Sequence, residues 1–437
     1  MRNQLSVAIL ATAISSVWGL GAAWGQTPQP KKPEWKDRAE YDLEQSAENE
    51  KDPKKKLDLL NQWKQNYPNT DYRMLRLDHY LATYRVLQDG AKILETAQEM
   101  LKEDPKYITG LYWTCLLVNS DASPARLDIG EKAANTLLGN LDEFFAPDKK
   151  PAGATDAAWK QARTDLEALA HRTLGWVNMQ RKNLPDAEKH ISEDLKLNPN
   201  DAQASYWLGN VIRLTQKPER TSEALFAFAR SAAYEGPGAM DAISRQKALD
   251  YTTKLYNSYH GQDADGLKQL LALAKGQAVV PAGFKILSEE EVKEQKLLQK
   301  GKDNPSLPFW VKFIKEPLKA ADGAQTFESN VKNALIPPES VPPLQGAVIS
   351  CDPPRNPKTV IVGIENPGTP EVKLVFEAPL GRPADAGTII KFRGVATAFT
   401  KEPFLVTFEV DKKDLTGWPA PPPPVRKAPV HRATKKK

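Results

Sequence analysis

Cysteine and histidine are scarce in this chain, with 2 Cys and 5 His among its 437 residues. Residues so few and so dispersed exclude a redox Cys-Cys motif and a convincing structural zinc site. Cys115 falls in a predicted helix and Cys351 in a predicted strand. We therefore expect two separate buried thiols, although an exported protein with two cysteines can also form one disulfide.

Sequence motifs of known catalytic chemistry are also missing. The chain contains no GxxxxGK(S/T) phosphate loop, no dinucleotide fingerprint after a strand, no GxSxG elbow and no HExxH helix. His260 is followed by Gly261, a pattern that favours a helix end over a general base. His171 and His190 lie in one repeat with no carboxylate motif beside them. We predict that the protein is not an enzyme and has no catalytic residues, no metal and no cofactor.

Long hydrophobic runs are missing except at the N-terminus. The stretch Leu5–Ala23 carries no charge, Arg2 precedes it, and small residues at Ala23 and Gly25 suit cleavage of a signal peptide. We predict a signal peptide at residues 1–25, a flexible leader rich in Pro, Gln and Lys at 26–34, and an extracytoplasmic location, periplasmic or secreted. The alternative is an uncleaved N-terminal segment that retains the protein at the membrane.

The most informative stretch is Ala168–Asp201, which is close to the tetratricopeptide pattern of a helix-turn-helix unit of about 34 residues. The small Gly175 allows two antiparallel helices to approach closely, and Leu174 fills the seam between them. Leu208 and Gly209 repeat this pair one period later. Because one such unit cannot bury its apolar face alone, a stack of units is implied.

We predict a mainly α fold, a tetratricopeptide-type α-solenoid of about six helix pairs, followed by a small five-stranded β-barrel domain. The array covers residues 35–335, with an interruption at 146–154 and a last amphipathic helix at Pro305–Gly323. The β domain covers 344–412, and it is an oligonucleotide/oligosaccharide-binding-type barrel or a compact sandwich. Gly394 predicts a bulge inside the fourth strand. The strands are Leu344–Ser350, Thr359–Ile364, Val372–Phe376, Thr388–Phe399 and Phe404–Val410.

The whole mature chain resembles exported bacterial tetratricopeptide-repeat proteins of the acidobacterial type that carry a small C-terminal β-barrel. The resemblance rests on the repeats, on Tyr259-His260-Gly261, and on Gly394-Val395-Ala396 and Lys401-Glu402-Pro403-Phe404 in the β domain. No activity attaches to that family, so the resemblance implies an architecture rather than a function.

The predicted working surface is the concave side of the array, which the first helix of each pair lines in a tetratricopeptide stack. Its candidate residues are Arg172, Trp176, Met179, Gln203, Tyr206, Asn210 and Arg213. They combine aromatic area with planar donors, which suits an extended peptide or a carboxylate. Trp176 stands where the two-carboxylate clamp of chaperone-binding members needs Asn, so we do not expect an EEVD-like tail as the ligand. We predict a scaffold that binds a protein or peptide, and the alternative is that these residues only pack neighbouring units.

A second hypothesis assigns binding of an anionic polymer, either nucleic acid or acidic polysaccharide, to the β domain and the C-terminal tail. The net charge of +5 is small for this length, and the aromatic residues of the β domain alternate as core residues do, so we do not expect nucleic acid. We predict that residues 413–437 form a Pro-rich, basic, disordered tail. We expect this tail to be attracted weakly, and in a salt-sensitive way, to an anionic envelope surface. The cations of the tail are Arg426, Lys427, Arg432, Lys435, Lys436 and Lys437.

Overall fold

The structure of the chain is a computed structural model that describes residues 35–420. The predicted signal peptide, the leader and the six cations of the predicted tail lie outside the described residues. The described chain forms two compact units, which divide between Glu289 and Glu290. We call them the helical unit and the sheet unit.

The helical unit contains twelve α-helices in its described residues. They are α1 (Arg38–Asn49), α2 (Pro53–Asn66), α3 (Arg73–Val86), α4 (Gly90–Glu103), α5 (Ile108–Leu117), α6 (Pro124–Phe144), α7 (Asp156–Gln180), α8 (Leu184–Leu197), α9 (Ala202–Leu214), α10 (Thr221–Ala233), α11 (Ala242–His260) and α12 (Ala264–Gly276). From α1 to α11 each helix packs on the next along the chain, and α12 packs on α10. This series of packed helices confirms the predicted helical array, in which each helix buries apolar surface of its neighbour.

Local sequence determines where these helices begin and how closely they pack. The side chain of Asp201 accepts a hydrogen bond from a main-chain N–H in the first turn of α9 and caps that helix. A Cβ atom at Gly175 would lie 2.6 Å from the side chain of Ile191. A Cβ atom at Gly209 would lie 2.9 Å from the ring of Phe228. Both glycines therefore permit the close helix contacts that the repeat pattern predicts.

The chain that follows α12 covers α10 at the end of the helical unit. Arg230 of α10 donates hydrogen bonds to the main-chain oxygens of Ala274 (3.1 Å) and Lys275 (2.6 Å) at the end of α12. The hydroxyl of Ser222 pairs with the main-chain O (3.2 Å) and N (3.0 Å) of Ile286. In a longer array, a further repeat would cover this side of α10. Here the contacts with α12 and with the chain after it bury the apolar residues of α10 instead.

Up to residue 420, the sheet unit combines helical segments with eight strands. Its helices are α13 (Glu289–Gly301, whose first residue belongs to the helical unit), α14 (Leu307–Phe309), α15 (Glu316–Lys319) and α16 (Gly323–Thr326), with π-helical turns at Trp310–Lys315 and Phe327–Val331. Its strands are β1 (Leu335–Ile336), β2 (Leu344–Asp352), β3 (Thr359–Gly363), β4 (Val372–Val375), β5 (Ile389–Phe392), β6 (Gly394–Thr400), β7 (Leu405–Glu409) and β8 (Leu415–Thr416).

The strands form one open, curled sheet in the order β1-β6-β7-β4-β3-β2-β5-β8, with β4 and β7 parallel and the other neighbours antiparallel. The prediction of a closed five-stranded barrel is wrong. The run predicted as one strand, Thr388–Phe399, is interrupted at Arg393 and gives two strands with different partners. β5 pairs with β2 and β8, whereas β6 pairs with β1 and β7. Gly394 begins β6, where a Cβ atom would lie 2.7 Å from the main-chain oxygen of Glu409.

Helical residues and strands share one core in the sheet unit. Trp310 and Phe408 are fully buried there, with ring centroids 6.5 Å apart. Leu318 and Phe327 also belong to this core. Residues 307–331, which the sequence analysis assigned to the end of the array, thus pack against the sheet because their apolar side chains cover one of its faces.

Ordered structure also extends beyond the predicted tail boundary at residue 413. β8 pairs with β5, with Leu415 opposite Phe392. The indole N–H of Trp418 donates to the main-chain oxygen of Arg382 at 3.2 Å. The described part of this segment, up to residue 420, is therefore held by the sheet unit.

Candidate functional site

Four of the predicted groove residues lie on one face of α9, because their spacing of three or four residues matches the helical repeat. They are Gln203, Tyr206, Asn210 and Arg213. The first three are half-buried and Arg213 is exposed, whereas Ala204 and Val211 on another face are completely buried. The structure thus brings these four predicted residues together and leaves part of each accessible to solvent.

Aromatic packing holds this face in place. The ring of Tyr206 meets that of Phe228 edge to face, with centroids 5.5 Å apart. Phe228 meets the ring of Tyr251, from α11, in the same way at 4.9 Å. The amide of Asn210 donates to the main-chain oxygen of Tyr206 at 3.1 Å. Because Phe228 is fully buried, both tyrosines are fixed against a rigid base.

Arg213 is positioned by an aromatic ring and not by a carboxylate. Its guanidinium carbon lies 5.5 Å from the centroid of the Tyr251 ring. Within residues 35–420 the Arg213 side chain forms no ion pair and no hydrogen bond. A cation held over a ring keeps its planar donors directed to solvent, where a ligand carboxylate can meet them.

Tyr251 is a site residue that the sequence analysis did not identify. The turn between α9 and α10 is longer than the repeat consensus, so the register of the motif was lost before α11. The available signal was the pair Tyr251 and Leu255, whose spacing places both on the face of α11 that packs towards Phe228. We call Gln203, Tyr206, Asn210, Arg213 and Tyr251 the α9–α11 surface.

Arg172, on α7, has a different environment from Arg213. Its Nε donates to the Asp201 carboxylate at 2.5 Å, and its guanidinium lies 4.9 Å from the Trp207 ring. Burial opposes its charge, but the carboxylates of Asp201 and Asp194 outweigh burial, and the pKa of Arg172 is raised. Arg172 is therefore already neutralised by residues of this chain and is not available as a ligand anchor.

The other two predicted residues of α7 take part in packing. Trp176 is only 6% exposed and lies in a cluster with Val118, Leu127 and Val177. Met179 is half-buried and packs against the same cluster. We therefore leave Arg172, Trp176 and Met179 out of the α9–α11 surface.

A second carboxylate that interacts electrostatically with Arg172 is buried. Asp194 is 0% exposed, and neither of its oxygens has a hydrogen-bond partner among the described residues. Burial raises the pKa of Asp194 well above its usual range, the charge of Asp201 raises it further, and Arg172 offsets only part of this effect. The Asp194 carboxyl therefore holds its proton more tightly than an exposed carboxyl does.

The histidines have structural partners. Nδ1 of His171 lies 2.9 Å from Nδ1 of His190, and burial lowers the pKa of both rings. His260 is the last residue of α11, where its Nδ1 lies 2.7 Å from the main-chain oxygen of Leu287. Neither arrangement places a nucleophile beside a base.

Three aromatic rings and one arginine of the sheet, which binding of an anionic polymer could use, are committed to the fold. Phe376, Phe392 and Phe408 are buried in its core. Arg393 donates hydrogen bonds to the main-chain oxygens of Pro337, at 2.9 Å, and of two further residues of the same loop. The described part of the sheet thus presents neither a fully exposed aromatic platform nor an uncommitted arginine at this position.

Residues 35–420 contain no group of three or more His, Cys, Asp or Glu side chains that could hold a metal ion. In the same range, no helix combines the length and the apolar character that crossing a bilayer demands.

Cys115 is buried in α5, where burial raises its thiol pKa to about 12, and Cys351 is half-buried in β2.

Comparisons with known proteins add little to this description. No protein-family model matches the chain, and no curated protein matches it. Among solved structures, a tetratricopeptide repeat protein from Parabacteroides merdae is similar at 14% identity with a TM-score of 0.27, and the match covers 55% of this chain and 99% of that one. The helical repeat architecture therefore rests on the order and packing of α1 to α12.

Proposed function

We propose that the protein is a non-catalytic tetratricopeptide-type scaffold that binds a protein or peptide through the α9–α11 surface. The observation that carries the proposal is the state of Arg213, which is exposed, stacked on Tyr251 and without an ion pair among the described residues. An arginine held in this way has already lost part of its side-chain entropy, so a ligand carboxylate gains more from it than from a mobile lysine.

The chemistry of the remaining residues matches a polypeptide ligand. Tyr206 and Tyr251 supply aromatic area for side chains of a partner, and the amides of Gln203 and Asn210 can exchange hydrogen bonds with an extended main chain. The surface therefore favours a segment that carries at least one acidic side chain or a terminal carboxylate.

The test begins with the partner that the full-length protein retains from an extract of its native cells at moderate salt. The dissociation constant of the purified partner is then measured for the wild type and two variants. Arg213→Gln is expected to weaken binding roughly tenfold, because one charge-assisted contact is lost. Lys217→Gln removes an exposed cation four residues away that has no ring beneath it, and it is expected to leave binding within about twofold of the wild type. Equal affinity of all three proteins would overturn the proposal.

We further propose that the protein is exported and that the segment 1–25 is removed. Support comes from the uncharged run Leu5–Ala23 and the small residues around Gly25. Intact-mass analysis of protein from native cells is expected to show a chain that begins at Gln26. A mass that includes Met1 would instead support the retained N-terminal segment.

A further inference from the structure

A second exposed arginine lies over an aromatic ring between α3 and α5 of the helical unit. The guanidinium carbon of Arg85, on α3, is 5.1 Å from the ring centroid of Trp113, on α5. Trp113 is half-buried and is fixed by Tyr112, whose ring meets it edge to face at 5.4 Å. The Arg85 side chain has neither an ion pair nor a hydrogen bond within the described range.

The surroundings of Arg85 repeat those of Arg213. Each arginine is the penultimate residue of the first helix in its pair, and the last residue is an exposed aliphatic, Val86 (71% exposed) or Leu214 (58% exposed). Each is followed three residues later by a glutamine of positive φ, which turns the chain away from the helix axis. These are Gln88 (φ 56°) and Gln216 (φ 55°). In both cases the ring beneath the guanidinium belongs to the first helix of the next pair.

Carboxylates close in sequence to Arg85 are already used by other groups. Asp89 accepts a hydrogen bond from the main-chain N–H of Lys92 at 3.0 Å and caps α4. Glu95 pairs with the ammonium group of Lys92 at 2.8 Å. Arg172 shows the contrasting case, since it also lies over a ring but is neutralised by Asp201. Arg85 therefore resembles Arg213 in its position, and like Arg213 it has no carboxylate partner among the described residues.

We infer that Arg85, Trp113 and Val86 form a second anchoring site, which binds a carboxylate-bearing peptide segment of a partner protein. The guanidinium fork meets the carboxylate, and Val86 contacts an adjacent apolar side chain. Charge complementarity selects an acidic segment, because the site presents an unneutralised cation beside exposed apolar surface. The inference extends the proposed function to a surface separate from the α9–α11 surface, and it can fail or succeed independently.

The site can be tested on the full-length protein with a defined probe, the tripeptide acetyl-Glu-Leu-Glu-amide. The indole N–H signal of Trp113, assigned from its loss in Trp113→Phe, is followed by NMR during titration. In the wild type this signal is expected to shift and saturate. Arg85→Gln is expected to raise the half-saturation concentration roughly tenfold, as loss of one charge-assisted contact would. The neutral probe acetyl-Gln-Leu-Gln-amide is expected to produce no saturable shift.

Two control variants separate this site from its alternatives. Arg213→Gln disables the α9–α11 surface and is expected to leave the Trp113 response unchanged. Arg355→Gln removes an exposed arginine of the sheet unit and should also leave it unchanged, which excludes a general effect of net charge. A Trp113 signal that does not move in the wild type, or that moves equally in Arg85→Gln, would overturn the inference. Loss of the response in Arg213→Gln alone would likewise overturn it.

Discussion

At the scale of single residues, the ability of an arginine to bind a ligand carboxylate depends on whether a carboxylate of the same chain already pairs with it. Among residues 35–420, three arginines lie over rings of a neighbouring first helix, and of these three only Arg172 also has a carboxylate partner there. Sequence position alone does not distinguish these cases, because Asp201 reaches Arg172 only after α7 and α9 have packed together. The predicted groove therefore contained one anchor that is available, Arg213, and one that is not.

We predict that the buried Asp194 makes the stability of the helical unit depend on pH. Its folded-state pKa is raised, so the folded protein binds this proton more tightly than the unfolded chain does. Below the unfolded-state pKa of about 4, Asp194 is protonated in both the folded and the unfolded protein, and its contribution to the free energy of unfolding is fully present. That contribution is lost as pH rises through the folded-state pKa. We expect Asp194→Asn to equal the wild type in stability at low pH and to exceed it by about 1–2 kcal/mol at pH 8.

Urea unfolding at a series of pH values measures this difference. Asp58→Asn serves as the control, because Asp58 is an exposed carboxylate of α2. Its stability curve should run parallel to that of the wild type. Parallel curves for Asp194→Asn as well would show that Asp194 is not the source of the pH dependence.

At the scale of elements, close packing within a helix pair depends on glycine. We expect Gly175→Ala to lower the free energy of unfolding by about 1–3 kcal/mol, because the new methyl group would overlap the side chain of Ile191. Gly139 in α6 has open space where a Cβ would lie, so Gly139→Ala is expected to stabilise by about 0.5–1 kcal/mol through helix propensity. Thermal and urea unfolding measure both. A neutral Gly175→Ala would mean that the two helices do not need this close contact.

The elements also show where sequence patterns stop being informative. Helices were predictable because their apolar period and their capping residues are local features. The division of Thr388–Phe399 at Arg393 was not, since it depends on which strands pair with β5 and with β6. The assignment of residues 307–331 failed for a related reason. An amphipathic helix buries its apolar face equally well on another helix or on a sheet, and its sequence does not say which.

At the scale of the whole molecule, the chain combines a helical unit that carries the proposed surfaces with a sheet unit that has its own core. Trp176 shows how the array limits its own binding surface, because contacts with α6 bury a position that an isolated repeat would leave open. Tyr251 shows the opposite effect, since α11 adds a residue that no single repeat contains. A binding surface of this kind is a property of consecutive helix pairs, and it could be predicted only in outline.

Site-specific photo-crosslinking in native cells tests the central claim most directly. A benzophenone amino acid is placed at Asn210, within the α9–α11 surface, or at Lys189, an exposed position of the second helix of the preceding pair. We predict a defined protein adduct from position 210, a weaker one when Arg213→Gln is added, and none from position 189. The same adducts from both positions, or an adduct from 189 alone, would contradict the assignment of binding to the α9–α11 surface.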